Sequence, residues 1–165
     1  MRIRKVAAVT MAACLAASAL AGCGSKKSDE KVIKIGVFEP TTGENGGGGY
    51  QEVLGIRYAN EMHPTVNIGG EEYAVKLVEV DNKSDKTEAV NAAQKLVSEK
   101  VSVVLGSYGS GVSIAAGQIF ADAKIPAIGC SCTNPQVTEG NDYYFRVCFI
   151  APFQGTVMAN YAFQN

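Results

Sequence analysis

The chain has 165 residues, 47% of them hydrophobic and 19% charged, and its 15 basic and 16 acidic side chains leave a net charge of −1. Three of the fifteen basic residues and none of the sixteen acidic ones precede Cys23, so the remainder carries −4. A weakly acidic body excludes nucleic acid as a partner, and the length suits one small α/β domain.

Arg2, Arg4 and Lys5 form a positive n-region ahead of an apolar run over residues 6–20. That run has the length of a signal-peptide core and falls short of the roughly twenty residues that cross a bilayer. The Leu20-Ala21-Gly22-Cys23 segment that follows, small residues leading into a cysteine, resembles the lipobox of bacterial lipoproteins. The resemblance implies cleavage before Cys23 and attachment of lipid to its sulfur. The expected organisation is therefore a lipoprotein signal peptide over 1–22, a lipid-anchored linker over 23–31 and a folded body over 32–165. Residues 24–31, GSKKSDEK, are polar without an apolar period and read as a flexible tether.

The body alternates strand and helix signals. Residues 31–38, KVIKIGVF, are β-branched and give way to Glu39-Pro40 and a glycine-rich stretch, so a strand and then a loop are predicted, with the four glycines 46–49 in a lid or turn. From Tyr50, the spacing of Val53, Ile56, Ala59 and Met62 predicts a helix with one buried stripe, ended by Pro64. Gly69-Gly70 turns into a second strand over 73–81. Residues 85–100 carry Ala89, Val90, Ala93, Leu96 and Val97 on one helical face, and VSVVL at 101–105 reads as a parallel strand buried on both faces. After a loop at 106–111 comes a helix to about Ala123 with Ile114, Ile119, Phe120 and Ala123 inward. Short strands at 126–129 and 143–148 and a helix from Phe153 complete the pattern. This alternation predicts an α/β fold: a lobe of βαβ units with a parallel sheet, right-handed crossovers and helices on both faces.

In open sheets of this kind ligands bind where loops leave the carboxyl ends of strands. The first such loop, EPTTGENGGGG at 39–49, has no Lys-Ser/Thr pair after its glycines and fails the register of G-x-G-x-x-G, so no nucleotide or other cofactor is expected from it. The second, GSYGSGVS at 106–113, enters a helix. Its serine reads either as a helix cap or as part of an anion site, since free N–H groups and the positive end of the helix dipole face the same place. The third, GCSCT at 129–133, sits at the next strand end. Together they put Ser110, Ser131 and Thr133 on adjoining strand ends, with Tyr108 and Gly109 in the same candidate ligand-binding set. No histidine base accompanies these hydroxyls, because His63 precedes a helix-ending proline, so serine-nucleophile catalysis and enzymatic function are not expected. Of five cysteines, Cys14 leaves with the leader and Cys23 takes lipid. Cys130, Cys132 and Cys148 are an odd set whose C-x-C spacing suits packing thiols rather than a metal site.

The succession KVIKIGVFEPTTG, VKLVEVDNKSD, AVNAAQKLVSEKVSVVLGSYGSGVS, IPAIGCSCTNPQVT and YYFRVCFIAPFQG resembles the N-terminal lobe of type I periplasmic solute-binding proteins, specifically the leucine/isoleucine/valine-binding family. The similarity covers about 31–165 and lies in the sum of spacings. It implies a two-lobed protein of which this chain is part of the first lobe, an amino acid or related amide as ligand, ABC permease subunits as partners and an extracytoplasmic location. It also implies that Ser110 and Thr133 hold the ligand carboxylate while the carbonyl of Ser131 takes its ammonium. Three features depart from the family pattern: Gly46 to Gly49 stand where an aromatic residue often meets the ligand, Ser84 and Gly109 occupy the positions of a disulfide found in some members, and an acidic residue common near Ala151 is missing. A ligand-sensing lipoprotein built on the same lobe, or an α/β enzyme without a recognisable catalytic motif, are the alternative readings.

Overall fold

A computed structural model describes residues 31–165. In chain order these form β1 (Val32–Glu39), α1 (Gly46–Met62), β2 (Thr65–Ile68), β3 (Glu71–Asp81), α2 (Lys86–Ser98), β4 (Val103–Leu105), α3 (Ser110–Asp122), β5 (Ala127–Gly129), a 3-10 turn (Pro135–Val137), β6 (Tyr144–Arg146) and α4 (Ala151–Gln164). One sheet of order β2-β3-β1-β4-β5-β6 unites the strands. All neighbours pair in parallel except β2 with β3. The predicted parallel lobe is thus present, with one addition. The predicted Gly69-Gly70 turn is the tip of an antiparallel hairpin whose first strand, β2, is only four residues long and exposed at all of them, so its brief Thr65-Val66-Asn67-Ile68 alternation stands too close to the helix-ending Pro64 to read as a strand.

Alternation along β1 divides the sheet into two faces. Gly36 and Phe38 point toward α2 and α3: a Cβ on Gly36 would meet Leu96 and Val104 at 3.1 and 3.2 Å, and the Phe38 ring stands edge-on to Phe120 at 5.5 Å. Ala89, Ala92, Ala93 and Leu96 of α2 close this core with Val112, Ala116 and Phe120 of α3. The inward set of α3 differs from the predicted one. Ile114 lies outside, because the helix begins at Ser110 and turns Val112, Ser113, Ala116 and Gly117 inward.

The other face holds Ile35, Val37 and Leu77 against α1. Here the expected stripe is only partly covered: Val53 is buried, whereas Ala59 and Met62 are exposed. The result is an open groove of about 650 Å³ between α1 and the sheet, lined by residues such as Ile35, Ile56, Leu77 and Leu105. No residue of α4 is buried, and Phe153, Val157, Met158 and Tyr161 lie bare on it.

The helix α1 starts at Gly46, so the four glycines predicted to form a lid or turn are its first turn instead. Close approach explains two of them. A Cβ on Gly49 would fall 2.1 Å from the Pro40 carbonyl oxygen, and one on Gly48 would fall 2.6 Å from the Tyr108 ring. Gly55 meets nothing within 4 Å. Gly55→Ala is therefore expected to raise stability by about 0.5 to 1 kcal/mol through helix propensity, while Gly49→Ala lowers it. Urea denaturation of the two variants checks the opposite signs.

A bare apolar helix and an open apolar groove on one lobe also favour association. Sedimentation of the chain is expected to show concentration-dependent oligomers, reduced by Phe153→Glu with Met158→Glu.

Candidate functional site

Because β1, β3, β4, β5 and β6 run parallel, their carboxyl ends share one edge of the sheet, where the loops after β1, β4 and β5 converge. Each is fastened by a side chain from a neighbouring strand end. The loop after β1 is held by Asp81 at the end of β3, which accepts from Thr41 N at 2.9 Å and from the Thr42 hydroxyl at 2.6 Å.

The loop after β4 is tied from several sides. Asn82, fully buried, donates from Nδ2 to the Ser107 hydroxyl at 2.9 Å, and the Tyr144 hydroxyl donates to the Gly106 carbonyl at 2.8 Å. Tyr108 N donates to Glu39 Oε2 at 2.6 Å. Gly106 has φ +118, and a Cβ there would lie 2.2 Å from the Phe38 carbonyl oxygen, so glycine is required on both counts. The Gly106-Ser107 peptide is cis.

From this loop the chain enters α3 without a side-chain cap. The N-cap residue is Gly109, at φ 117, and no side chain accepts from the first turn. The contrast with α2 is direct, since there Asp85 accepts from both Thr87 N and Glu88 N. Ser110 is accordingly not the cap that one sequence reading allowed. It is the first helical residue, and its Oγ accepts from Asn134 N at 3.2 Å. That bond brings the second and third loops together and sets Thr133, the residue before Asn134, beside the start of α3. Among the described residues no hydrogen bond engages the hydroxyls of Ser131 and Thr133. The start of α3 and the backbone at Asn134 thus meet at one strand edge, and the free first-turn amides and positive end of the helix there favour a negative group. Tyr108 borders the same place, 39% exposed, with its ring over Gly48.

The third loop is organised by a residue that sequence reasoning passed over. Arg146, at the end of β6, donates to the carbonyls of Cys132 and Asn134, both at 2.9 Å, to the Pro135 carbonyl at 3.0 Å and to the Thr138 hydroxyl at 2.7 Å. One guanidinium fork therefore shapes residues 132–138. A lone arginine in a short strand carries no sequence signal for this, because its partners are backbone oxygens.

Glu39, Glu52 on α1 and Cys130 after β5 were missed as well. Each places an oxygen or sulfur within 4.8 Å of the others, a spacing that fits a divalent cation. Protons account for the group without one. Glu39 is 1% exposed, and both Glu39 Oε1 and Glu52 Oε2 are buried without a conventional donor. A single proton between the two carboxyls satisfies both. Burial first, then the hydrogen bond and charge of Glu52, push the Glu39 acid up from 4.5 to about 10, against the Tyr108 N–H, which favours the carboxylate. Burial likewise pushes the Cys130 thiol up to about 12 and that of Cys132 to about 11, so neither is a thiolate nucleophile at neutral pH. All three cysteines of the body are free.

Residues 32–165 match the family model described as periplasmic binding protein. The chain belongs to that family. It is 34% identical over 151 residues to the Leu/Ile/Val-binding protein homolog 1 of Brucella abortus, covering 90% of this chain and 39% of that protein. Among solved structures, a leucine-binding protein of Thermotoga maritima superposes with a TM-score of 0.75 at 42% identity, over 81% of this chain and 37% of the other. The branched-chain amino acid transporter substrate-binding protein LivJ of Streptococcus pneumoniae, solved with isoleucine, gives 0.71 at 33% identity over 79% and 38%. A solute-binding protein of Rhodopseudomonas palustris HaA2, solved with p-hydroxybenzoic acid, gives 0.67 at 27% identity over 78% and 34%. The chain thus spans about two fifths of the length of these relatives. The expected signal peptide over 1–22, the expected linker up to residue 30 and the expected lipidation of Cys23 lie outside the described residues.

The raised acid of Glu39 fixes the sign of a pH effect. Between its unfolded value near 4.5 and its folded value near 10 the native chain holds one more proton than the unfolded chain, so stability falls as pH rises. The unfolding free energy from urea titrations is expected to drop from about pH 5 toward pH 9, with a slope of up to about 1.4 kcal/mol per pH unit, and Glu39→Gln to flatten that slope.

Proposed function

We propose that this lobe binds the carboxylate of a branched-chain or related amino acid, as the first lobe of a lipid-anchored, extracytoplasmic substrate-binding protein that delivers its ligand to the permease subunits of an ABC importer. The observation that carries the reading is the uncapped start of α3, brought beside Thr133 by the bond between Ser110 and Asn134. A helix end left without an internal acceptor, next to neutral hydroxyls, holds a carboxylate by hydrogen bonds and needs no arginine. The ligands named for two relatives support it, since isoleucine and p-hydroxybenzoic acid differ in every respect except a carboxyl group. The roles are those that the family resemblance implies, and the chemistry of each group suits its role. The Ser110 and Thr133 hydroxyls and the N–H groups of the first turn of α3 donate to the carboxylate, the Ser131 carbonyl accepts from the ammonium, and Tyr108 with Gly109 shapes the wall. Binding of this kind requires no cofactor and no chemical step. Cys23 carries the lipid in this reading.

Magnitudes limit what one lobe achieves. Two or three hydrogen bonds to a charged group contribute about 1.5 to 3 kcal/mol each, and micromolar affinity needs about 8 kcal/mol net after the costs of association. Calorimetry with leucine, isoleucine and valine is expected to find binding no tighter than about millimolar for the chain as it stands, and far tighter binding for a protein of its relatives' length. In the longer protein Ser110→Ala and Thr133→Ala each weaken binding by about tenfold. Unchanged affinity in both variants would remove the site from these residues. Incorporation of labelled fatty acid that is lost in Cys23→Ser tests the anchor separately.

A further inference from the structure

We propose that Glu39, backed by Glu52, is a positioning residue for ligand binding: from the tip of β1 it fixes the loop 106–110 by accepting the Tyr108 N–H and by bracing Gly106. The proposal rests on the reading of that loop as a ligand wall and adds a residue that touches no ligand.

Three observations converge on Glu39. Its Oε2 takes the Tyr108 N–H at 2.6 Å, a short bond that sets where Tyr108 and therefore Gly109 and Ser110 stand. Its Oε1 lies 2.6 Å from where a Gly106 Cβ would be, so the carboxyl group lies against the backbone at the start of the same loop. The side chain is 1% exposed, which makes this an internal strut rather than a surface contact. The backbone of β1 adds a parallel tie: Asn82 N donates to the Glu39 carbonyl while Asn82 Nδ2 holds Ser107. The end of β1 thereby grips the loop at Ser107 and at Tyr108.

A buried carboxylate is a costly strut unless its charge is removed. Among the described residues, the groups around Glu39 supply no cation: Glu52 reaches it from α1, and Cys130 from the loop after β5 and Tyr144 from β6 feel its charge. Glu52 Oε2, buried and otherwise unpartnered, is instead the acceptor or donor of a shared proton. The pair then behaves as one neutral acid facing one carboxylate, with an oxygen left over for the Tyr108 amide. Glutamine has the same shape and the same acceptor, and it donates to Glu52 without any proton sharing. A strut made this way therefore survives Glu39→Gln and fails on Glu39→Ala. A role through negative charge would fail in both.

Hydrogen–deuterium exchange of the full chain without ligand, read at peptides spanning 106–112 with 89–97 as internal standard, tests the loop by itself. Wild type and Glu39→Gln are expected to protect the loop amides alike, and Glu39→Ala to speed their exchange by about tenfold while the 89–97 standard is unmoved. Should Glu39→Ala not fold, wild type and Glu39→Gln decide. A wild-type Tyr108 amide exchanging at the rate of an open loop, or a Gln variant that loosens the loop, overturns the proposal. Leucine affinity in the longer protein is then expected to follow the loop, near wild type in Glu39→Gln and about tenfold weaker in Glu39→Ala. Loose exchange with unchanged affinity overturns the positioning role. A protected loop with no amino-acid binding in any variant leaves the strut standing and defeats only the functional reading beneath it.

Discussion

Parallel pairing of β1 with β3 on one side and β4 on the other is the constraint from which the rest of the lobe follows. Strands paired this way must finish on one edge, and every crossover must pass through a helix on a face. Glu39, Asp81, Leu105 and Gly129 thus end their strands together, and the loops that continue from them have no choice but to meet. The site is a product of that meeting. No single loop contains it: Ser110 belongs to one, Asn134 and Thr133 to another, and the side chains that hold both come from β1, β6 and the residue following β3.

The holding side chains share a pattern. Asp81, Asn82 and Arg146, together with Glu39, mostly bond to backbone groups of loops rather than to one another. Polar residues at strand ends therefore act as fasteners for irregular backbone, which has no ladder of its own to satisfy its donors and acceptors. Burial is tolerated in Asn82 because it is bonded, and in Glu39 because it is bonded and its charge is suppressed as well.

Much of this was legible in sequence where periodicity is strong. The helix α2 announces itself through Ala89, Ala93 and Leu96, its cap Asp85 lies where the pattern begins, and the β-branched run of β1 is unambiguous. Adjacency of Ser110 and Thr133 followed from topology alone, since consecutive βαβ units bring consecutive loops together. Other features were hidden for physical reasons. Glycines at 46–49 look like a loop because helix propensity disfavours them, and only the Pro40 carbonyl and the Tyr108 ring, remote in sequence, explain why two of them belong in a helix. The exposed β2 alternates for only four residues directly after Pro64, too short a run to stand out. Ile114 misleads because the phase of a helix depends on where it starts. Glu39 and Arg146 carry no motif, as their meaning lies in backbone atoms that the fold brings to them.

The contact between Tyr108 and Gly48 bears on how such a lobe can change over evolution. One small volume beside the site is filled by an aromatic ring reaching across from the loop after β4, and the absent side chain at position 48 is what leaves it vacant for that ring. A bulky group restored at 48 and a trimmed group at 108 would occupy the same space from opposite walls. Either change by itself disturbs the packing, whereas the two made together exchange one wall for another. The two positions are thus energetically linked, and drift in ligand preference along this edge would proceed by paired replacements.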